Sequence, residues 1–315
     1  MGAVTRIGDG RRGLVGVRLR TIVITLLVAA IAFPLTFVIW PSMVPGGAPA
    51  AVQLASLGLL TAECLAMGGG VAFLILGYPA VKWLPVSRPL AMASYIGIAY
   101  YLVNWWTHDH LHYLASTLDF TGWVRMTLAI EYVFHAGMMV FGAVLALLFA
   151  KILIVGIGSR WRFAMLVLVI AAISVPSSLA LFHPNLPGGA AVPAAAMPFF
   201  LGLKLFEGLA LGVGIGLLLF GNRTLGRAAA HPPLALLAYL SISWYLVNWW
   251  LHDNLHAING DNLWGLIGIE YAFHVTMMVG GGVLAVFYYR AAQSPLKEGK
   301  TDTQGTVALT RRATE

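Results

Sequence analysis

Residues 101–112 read YLVNWWTHDHLH, and residues 245–256 read YLVNWWLHDNLH. Only Thr107/Leu251 and His110/Asn254 differ between the two stretches. A second pair follows each of them: IEYVFHAGMMV at 130–140 and IEYAFHVTMMV at 269–279. Upstream, the spacing from Arg20 to Pro34 recurs from Arg162 to Pro176, Pro45-Gly46-Gly47 recurs as Pro187-Gly188-Gly189, and Glu63 recurs as Glu207. The chain therefore reads as a duplication, with copies at 20–151 and 161–290. A cytoplasmic tail (1–19), a cytoplasmic link (152–160) and a second cytoplasmic tail (291–315) complete it.

The surroundings of these motifs are apolar. Hydrophobic residues make up 59% of the 315 residues and charged residues 10%, with a mean hydropathy of +0.83. Soluble domains carry about 25% charged residues, so this composition cannot cover a water-facing surface. Runs of about 20 apolar residues are long enough to cross a bilayer. Eight are legible, at 21–42, 52–77, 89–112, 123–150, 161–183, 195–220, 233–256 and 264–289. The first follows Arg18 and Arg20 as a signal peptide would, but its pattern recurs at 161–183, deep inside the chain. The expected fold is all-α and integral to the membrane: eight transmembrane helices in two parallel four-helix repeats. Four spans per copy is an even number, so both copies insert in the same sense, related by an axis along the membrane normal.

The formal charge of +7 does not point to nucleic acid, because the basic residues flank the apolar runs. They cluster in the N-terminal tail, after the second span (Lys82, Arg88), after the fourth (Lys151, Arg160, Arg162), after the sixth (Arg223, Arg227) and in the C-terminal tail. Arg125 is the exception on the other side. The positive-inside rule then makes both termini cytoplasmic in a bacterial-type inner membrane. The single cysteine, Cys64, excludes internal disulfides and Cys-x-x-Cys metal sites. The expected partners are lipid and other membrane subunits.

Three polar elements recur in each copy. The second span holds Glu63 or Glu207. The third ends in Asn104, His108, Asp109 and His112, or in Asn248, His252, Asp253 and His256. The fourth carries Glu131 and His135, or Glu270 and His274. His108 and His112 are four residues apart and share a helix face, as do Glu131 and His135. At about 1.5 Å per residue all of them converge in the outer half of the membrane. A bare carboxylate at bilayer depth costs several kcal/mol and is kept only if paired, protonated or coordinated. The basic residues Arg125 and Lys82 lie too far from Glu63 and Glu131, whereas the histidines of each copy can share a cation with them.

Each copy is thus expected to hold a transition metal, Fe or Cu. The ligands would be Glu63, His108, His112, Glu131 and His135, and in the second copy Glu207, His252, His256, Glu270 and His274. Asn104, Asp109, Asn248 and Asp253 would orient the imidazoles from outside. The inventory is similar to that of soluble di-iron carboxylate bundles, which use Glu-x-x-His pairs; the spacing here is one residue longer, so the likeness is one of chemistry. The His-box spacings of membrane hydroxylases and desaturases are absent. The functional expectation is a redox metalloenzyme of oxygenase or oxidase type. Alternatives are a haem electron-transfer protein with two axial His, a carrier of metal ions or protons, and a structural subunit.

Several features have plainer readings. Met138, Met139, Met277 and Met278 are expected to pack rather than ligate. Trp105, Trp106, Trp249 and Trp250 fit an interfacial aromatic belt. His183 and His231 precede prolines in loops, and the Gly-rich runs permit close helix approach. Lys204, one turn before Glu207, has Leu60 as its counterpart, so Glu207 is expected to be ion-paired.

Overall fold

A computed structural model of the chain describes residues 6–44, 46–152, 160–182, 192–221, 232–259 and 262–293, with side chains from residue 18 onward. His183, His231, Arg223, Arg227, the Pro187-Gly188-Gly189 turn, most of the link 152–160, residues 1–5 and most of the C-terminal tail lie outside the described residues.

The described residues are all-helical. The helices are α1 (Arg6–Ile39), α2 (Ala50–Leu76), α3 (Arg88–Ser116), α4 (Phe120–Ile152), α5 (Arg160–Phe182), α6 (Met197–Gly221), α7 (Pro232–Asn259) and α8 (Leu263–Gln293), with a short 3₁₀ turn at Tyr78–Lys82. Seven of them are long and apolar enough to cross a membrane, which makes this a multi-span membrane protein. The eighth, α3, is equally long at 29 residues, but Asn104, His108, Asp109, His110 and His112 lower its hydropathy. The expected spans from the second onward each fall on one helix with ends shifted by a few residues, whereas α1 begins at Arg6, well before the expected start at 21, and takes in most of the expected tail 1–19.

The packing runs from an inner group outward. Helices α3, α4, α7 and α8 form the centre; α2 flanks α3 and α8, α6 flanks α7 and α4, and α1 and α5 pack on the outside of α2 and α6. The outer helices leave Ile22, Leu26, Leu27, Ile31, Leu168 and Ile173 exposed, as lipid contact requires. A Cβ on Gly68 would run into the Thr25 carbonyl, and one on Gly212 would lie 2.8 Å from Val167 Cα. These two glycines let α1 and α5 approach their neighbours closely.

At the centre, residues from the two YLVNWW stretches meet their own counterparts. Tyr101 stacks on Tyr245 with ring centroids 3.6 Å apart, and Trp105 stacks on Trp249 at 6.2 Å. Leu102 meets Gly281, as Leu246 meets Gly142. The aromatic-belt reading therefore fails for Trp105 and Trp249: both are fully buried, at 0% and 1% exposure, because α3 and α7 are interior helices whose tryptophans face each other. Trp106 and Trp250 turn outward to α1 and α5, bonding the Thr36 hydroxyl and the Ser174 carbonyl.

Candidate metal centres

The repeated Glu-Tyr-x-Phe-His segments are π-helical in both places, at Glu131–Ala136 and Tyr271–Val275. A π-turn bonds i to i+5, so it is wider than an α-turn and re-aims its side chains; such turns concentrate at functional sites. The sequence gives no separate sign of them beyond the duplication of the motif. On these wide turns Glu131 Oε2 comes 2.5 Å from His135 Nδ1, and Glu270 Oε2 comes 2.6 Å from His274 Nδ1. Neither pair has the alignment of a hydrogen bond, so each is a close approach of ring and carboxylate.

The other ring nitrogens turn toward the His-x-x-x-His stripe. His135 Nε2 lies 3.1 Å from His108 Nε2, with the His112 ring centroid 4.5 Å from that of His108. In the second group His252 Nε2 lies 3.1 Å from His256 Nε2 and 3.3 Å from His274 Nε2. A carboxylate oxygen stands at the rim of each group: Glu131 Oε1 is 3.7 Å from His112 Nε2, and Glu270 Oε1 is 3.5 Å from His256 Nε2. His108, His135, His252 and His274 are buried, whereas the side chains of His112 and His256 are 31% and 28% exposed. Each group is thus closed at the back and open at one edge. Among the described residues, Glu131–His135–Asp253 and His252–Glu270–His274 bring their ligand-type atoms within 4.8 Å of one another.

Asp109 Oδ1 lies 2.7 Å from His108 Nδ1, and Asp253 Oδ1 lies 3.0 Å from His252 Nδ1. The same two carboxylates reach across to the other group. Asp253 Oδ1 is 3.8 Å from His135 Nδ1, and Asp109 Oδ1 is 4.0 Å from His274 Nδ1. The groups are therefore interleaved, with ring centroids 5.7 Å apart for both His108/His274 and His135/His252. Trp249 packs on His135 at 4.2 Å and Trp105 on His274 at 4.3 Å.

Not every expected ligand joins these groups. Glu63 faces Asp109 and the Glu270 that follows the second motif, and no side-chain or backbone N–H among the described residues reaches its carboxylate oxygens. Glu207 is bound through both oxygens by Lys204 Nζ at 2.9 Å, as expected, and the same ammonium bonds Asp253 Oδ2 at 3.0 Å. Helix neighbourhood explains both placements: α2 packs on α8, and α6 on α4. Asn104 and Asn248 also differ from expectation. Their amides donate to the Met138 and Met277 sulfurs at 2.9 and 3.0 Å instead of orienting imidazoles. Those two thioethers are engaged one layer away from the rings. His110 Nδ1 donates to the Trp106 carbonyl, and its ring stacks on the Trp106 indole.

The molecule is thus a multi-span membrane protein with two His/Glu groups able to hold metal ions. No family model, curated protein or solved structure matches the chain.

Proposed function

We propose that the protein is a membrane redox enzyme of oxygenase or oxidase type with two transition-metal centres, one around His108, His112 and His135 and one around His252, His256 and His274. One observation carries this reading: His252 Nε2 faces two other Nε2 atoms at 3.1 and 3.3 Å. A ring nitrogen offers one proton or one lone pair, so it cannot serve both neighbours by ordinary hydrogen bonds. A shared ion serves all three. With metal–nitrogen bonds near 2.0–2.1 Å, a tetrahedral site has nitrogen–nitrogen edges of about 3.3 Å, close to the separations found.

Imidazoles with a carboxylate at the rim suit Fe or Cu, and the thioethers of Met138 and Met277 are committed to Asn104 and Asn248. The open edge at His112 and His256 is where a small apolar substrate or O2 would enter. Asp109 and Asp253 each bond one imidazole of their own centre and come within 4.0 Å of one in the other, so the two centres would influence each other. A haem reading is less well supported: axial imidazoles lie on opposite sides of a macrocycle, whereas these nitrogens are neighbours on one side.

The same reading takes α3 as an eighth span, since its polar residues face other helices rather than lipid. It places both termini in the cytoplasm of a bacterial-type inner membrane. It relates the copies by a two-fold axis along the membrane normal, supported by the self-pairing of Tyr101/Tyr245 and Trp105/Trp249. The test is elemental analysis with optical and paramagnetic resonance spectra of the purified protein. The expected result is about one Fe or Cu per imidazole group, as its ligand number allows. A colourless, metal-free protein that takes up neither ion would overturn the redox and haem readings together.

A further inference from the structure

Around Lys204 the second copy has a complete charge arrangement. The ammonium is buried, bonds Glu207 Oε1 and Oε2 at 2.9 Å each and Asp253 Oδ2 at 3.0 Å, and lies 5.7 Å from the Phe200 ring centroid. Three carboxylate oxygens thus surround one point charge. The first copy has the same two acids, Glu63 and Asp109, facing each other at the equivalent place. Leu60 stands there instead of Lys204, and Ser56 instead of Phe200. Glu63 is 0% exposed, and apart from the facing Asp109 no group among the described residues serves either of its oxygens. Asp109 Oδ1 is taken by His108, which leaves its other oxygen for the role that Asp253 Oδ2 plays opposite.

The first copy is therefore one positive charge short of the second. Serine and leucine also carry less bulk than phenylalanine and lysine at these two positions. The Ser56 hydroxyl, which donates to the Val52 carbonyl at 3.0 Å, adds an oxygen on the same helix face. An uncompensated buried carboxylate costs several kcal/mol, and the cheapest remedy with this geometry is an ion where the ammonium would be.

We propose that Glu63 and Asp109 bind a monovalent cation, held by carboxylate oxygens at the position the Lys204 ammonium occupies in the other copy. Oxygen-only ligation suits a hard ion and not the soft or borderline metals that imidazoles take. The nitrogen–oxygen separations of 2.9–3.0 Å around Lys204 fit potassium or ammonium without adjustment, and sodium with slight contraction. The site shares Asp109 with the imidazoles through its other oxygen, which bonds His108; Glu63 belongs to it alone.

The test is thermal unfolding of the full chain in detergent, titrated with potassium, ammonium or sodium chloride at constant ionic strength against N-methylglucamine chloride. The wild type is expected to show a saturable rise in unfolding midpoint with at least one of the three ions. Leu60→Lys supplies its own ammonium and should gain stability without the ion and lose the response. Glu63→Gln, which removes the charge and keeps the shape, should also be unresponsive, and it serves if Leu60→Lys does not fold. A wild-type midpoint indifferent to all three ions would mean that the two acids share a proton instead, and would overturn the proposal. An undiminished response in Glu63→Gln would do the same.

Discussion

Asp253 lies 3.8 Å from Nδ1 of His135, and the two residues belong to different copies of the repeated motif. Asp109 and His274 make the reciprocal approach at 4.0 Å. Neither imidazole group is therefore served by residues of one copy of the motif alone. The fourth helix of each copy also ties itself to the second helix of the other: Tyr132 donates to the Phe199 carbonyl at 2.7 Å, and Tyr271 to the Ala55 carbonyl at 2.9 Å.

This interleaving makes Asp253→Asn a two-site variant. Partners of this kind typically change metal affinity by about 10–100-fold when altered. Competition with a chelator should show weaker binding at both centres. His135→Ala should halve the metal content, and His274→Ala should remove the other half. A variant at Asp253 that weakens only the His252 centre would show that the 3.8 Å approach carries no influence.

Lys204 holds the buried Glu207 and the half-buried Asp253, so its loss is expected to be severe. Removing one member of a buried charge pair costs about 3–5 kcal/mol. Lys204→Met should lower stability by roughly that amount in denaturant titrations. Adding Glu207→Gln should recover part of it, since one orphaned charge is then gone. Strict additivity of the two changes would contradict the ion pair.

Gly68 and Gly69 offer a matched pair. A Cβ at Gly68 strikes the Thr25 backbone, whereas one at Gly69 meets nothing within 4 Å. Overpacking costs about 1–3 kcal/mol, so Gly68→Ala should lower the unfolding midpoint clearly and Gly69→Ala should not. Equal effects would mean that α1 does not press on α2 at this point.

The Tyr101–Tyr245 stack is open to a graded test. Tyr101 donates to the Met138 carbonyl, and Tyr245 to the Met277 carbonyl at 2.7 Å. Tyr101→Phe loses one hydrogen bond, worth about 0.5–1.5 kcal/mol. Tyr101→Ala loses the ring as well, and large aromatic truncations in cores cost about 3–5 kcal/mol. Equilibrium unfolding should rank the wild type above Phe and Phe above Ala.

Helix periodicity made a good part of this legible in advance. The i, i+4 spacing of His108/His112 and Glu131/His135 put each pair on one helix face, where the structure has them, and Leu60 opposite Lys204 flagged the charge difference. What it could not supply was adjacency between helices. Glu63 was expected beside Glu131, yet α2 lies against α8 and brings it to Glu270. The π-turns were hidden for a related reason: residue identity alone does not reveal one extra residue in a turn. Trp105 and Trp249 were placed at the membrane surface because amphipathic rings favour it, but a buried helix pair offers them a competing home.

A side chain that stacks on its own counterpart is the signature of two identical surfaces meeting, as in a symmetric homodimer. The Tyr101–Tyr245 contact gives the interior of one polypeptide the geometry of such an interface. Within a single chain, however, the two sides need not be the same. One side can hold Lys204 where the other holds Leu60, so that a near-symmetric contact serves two different halves.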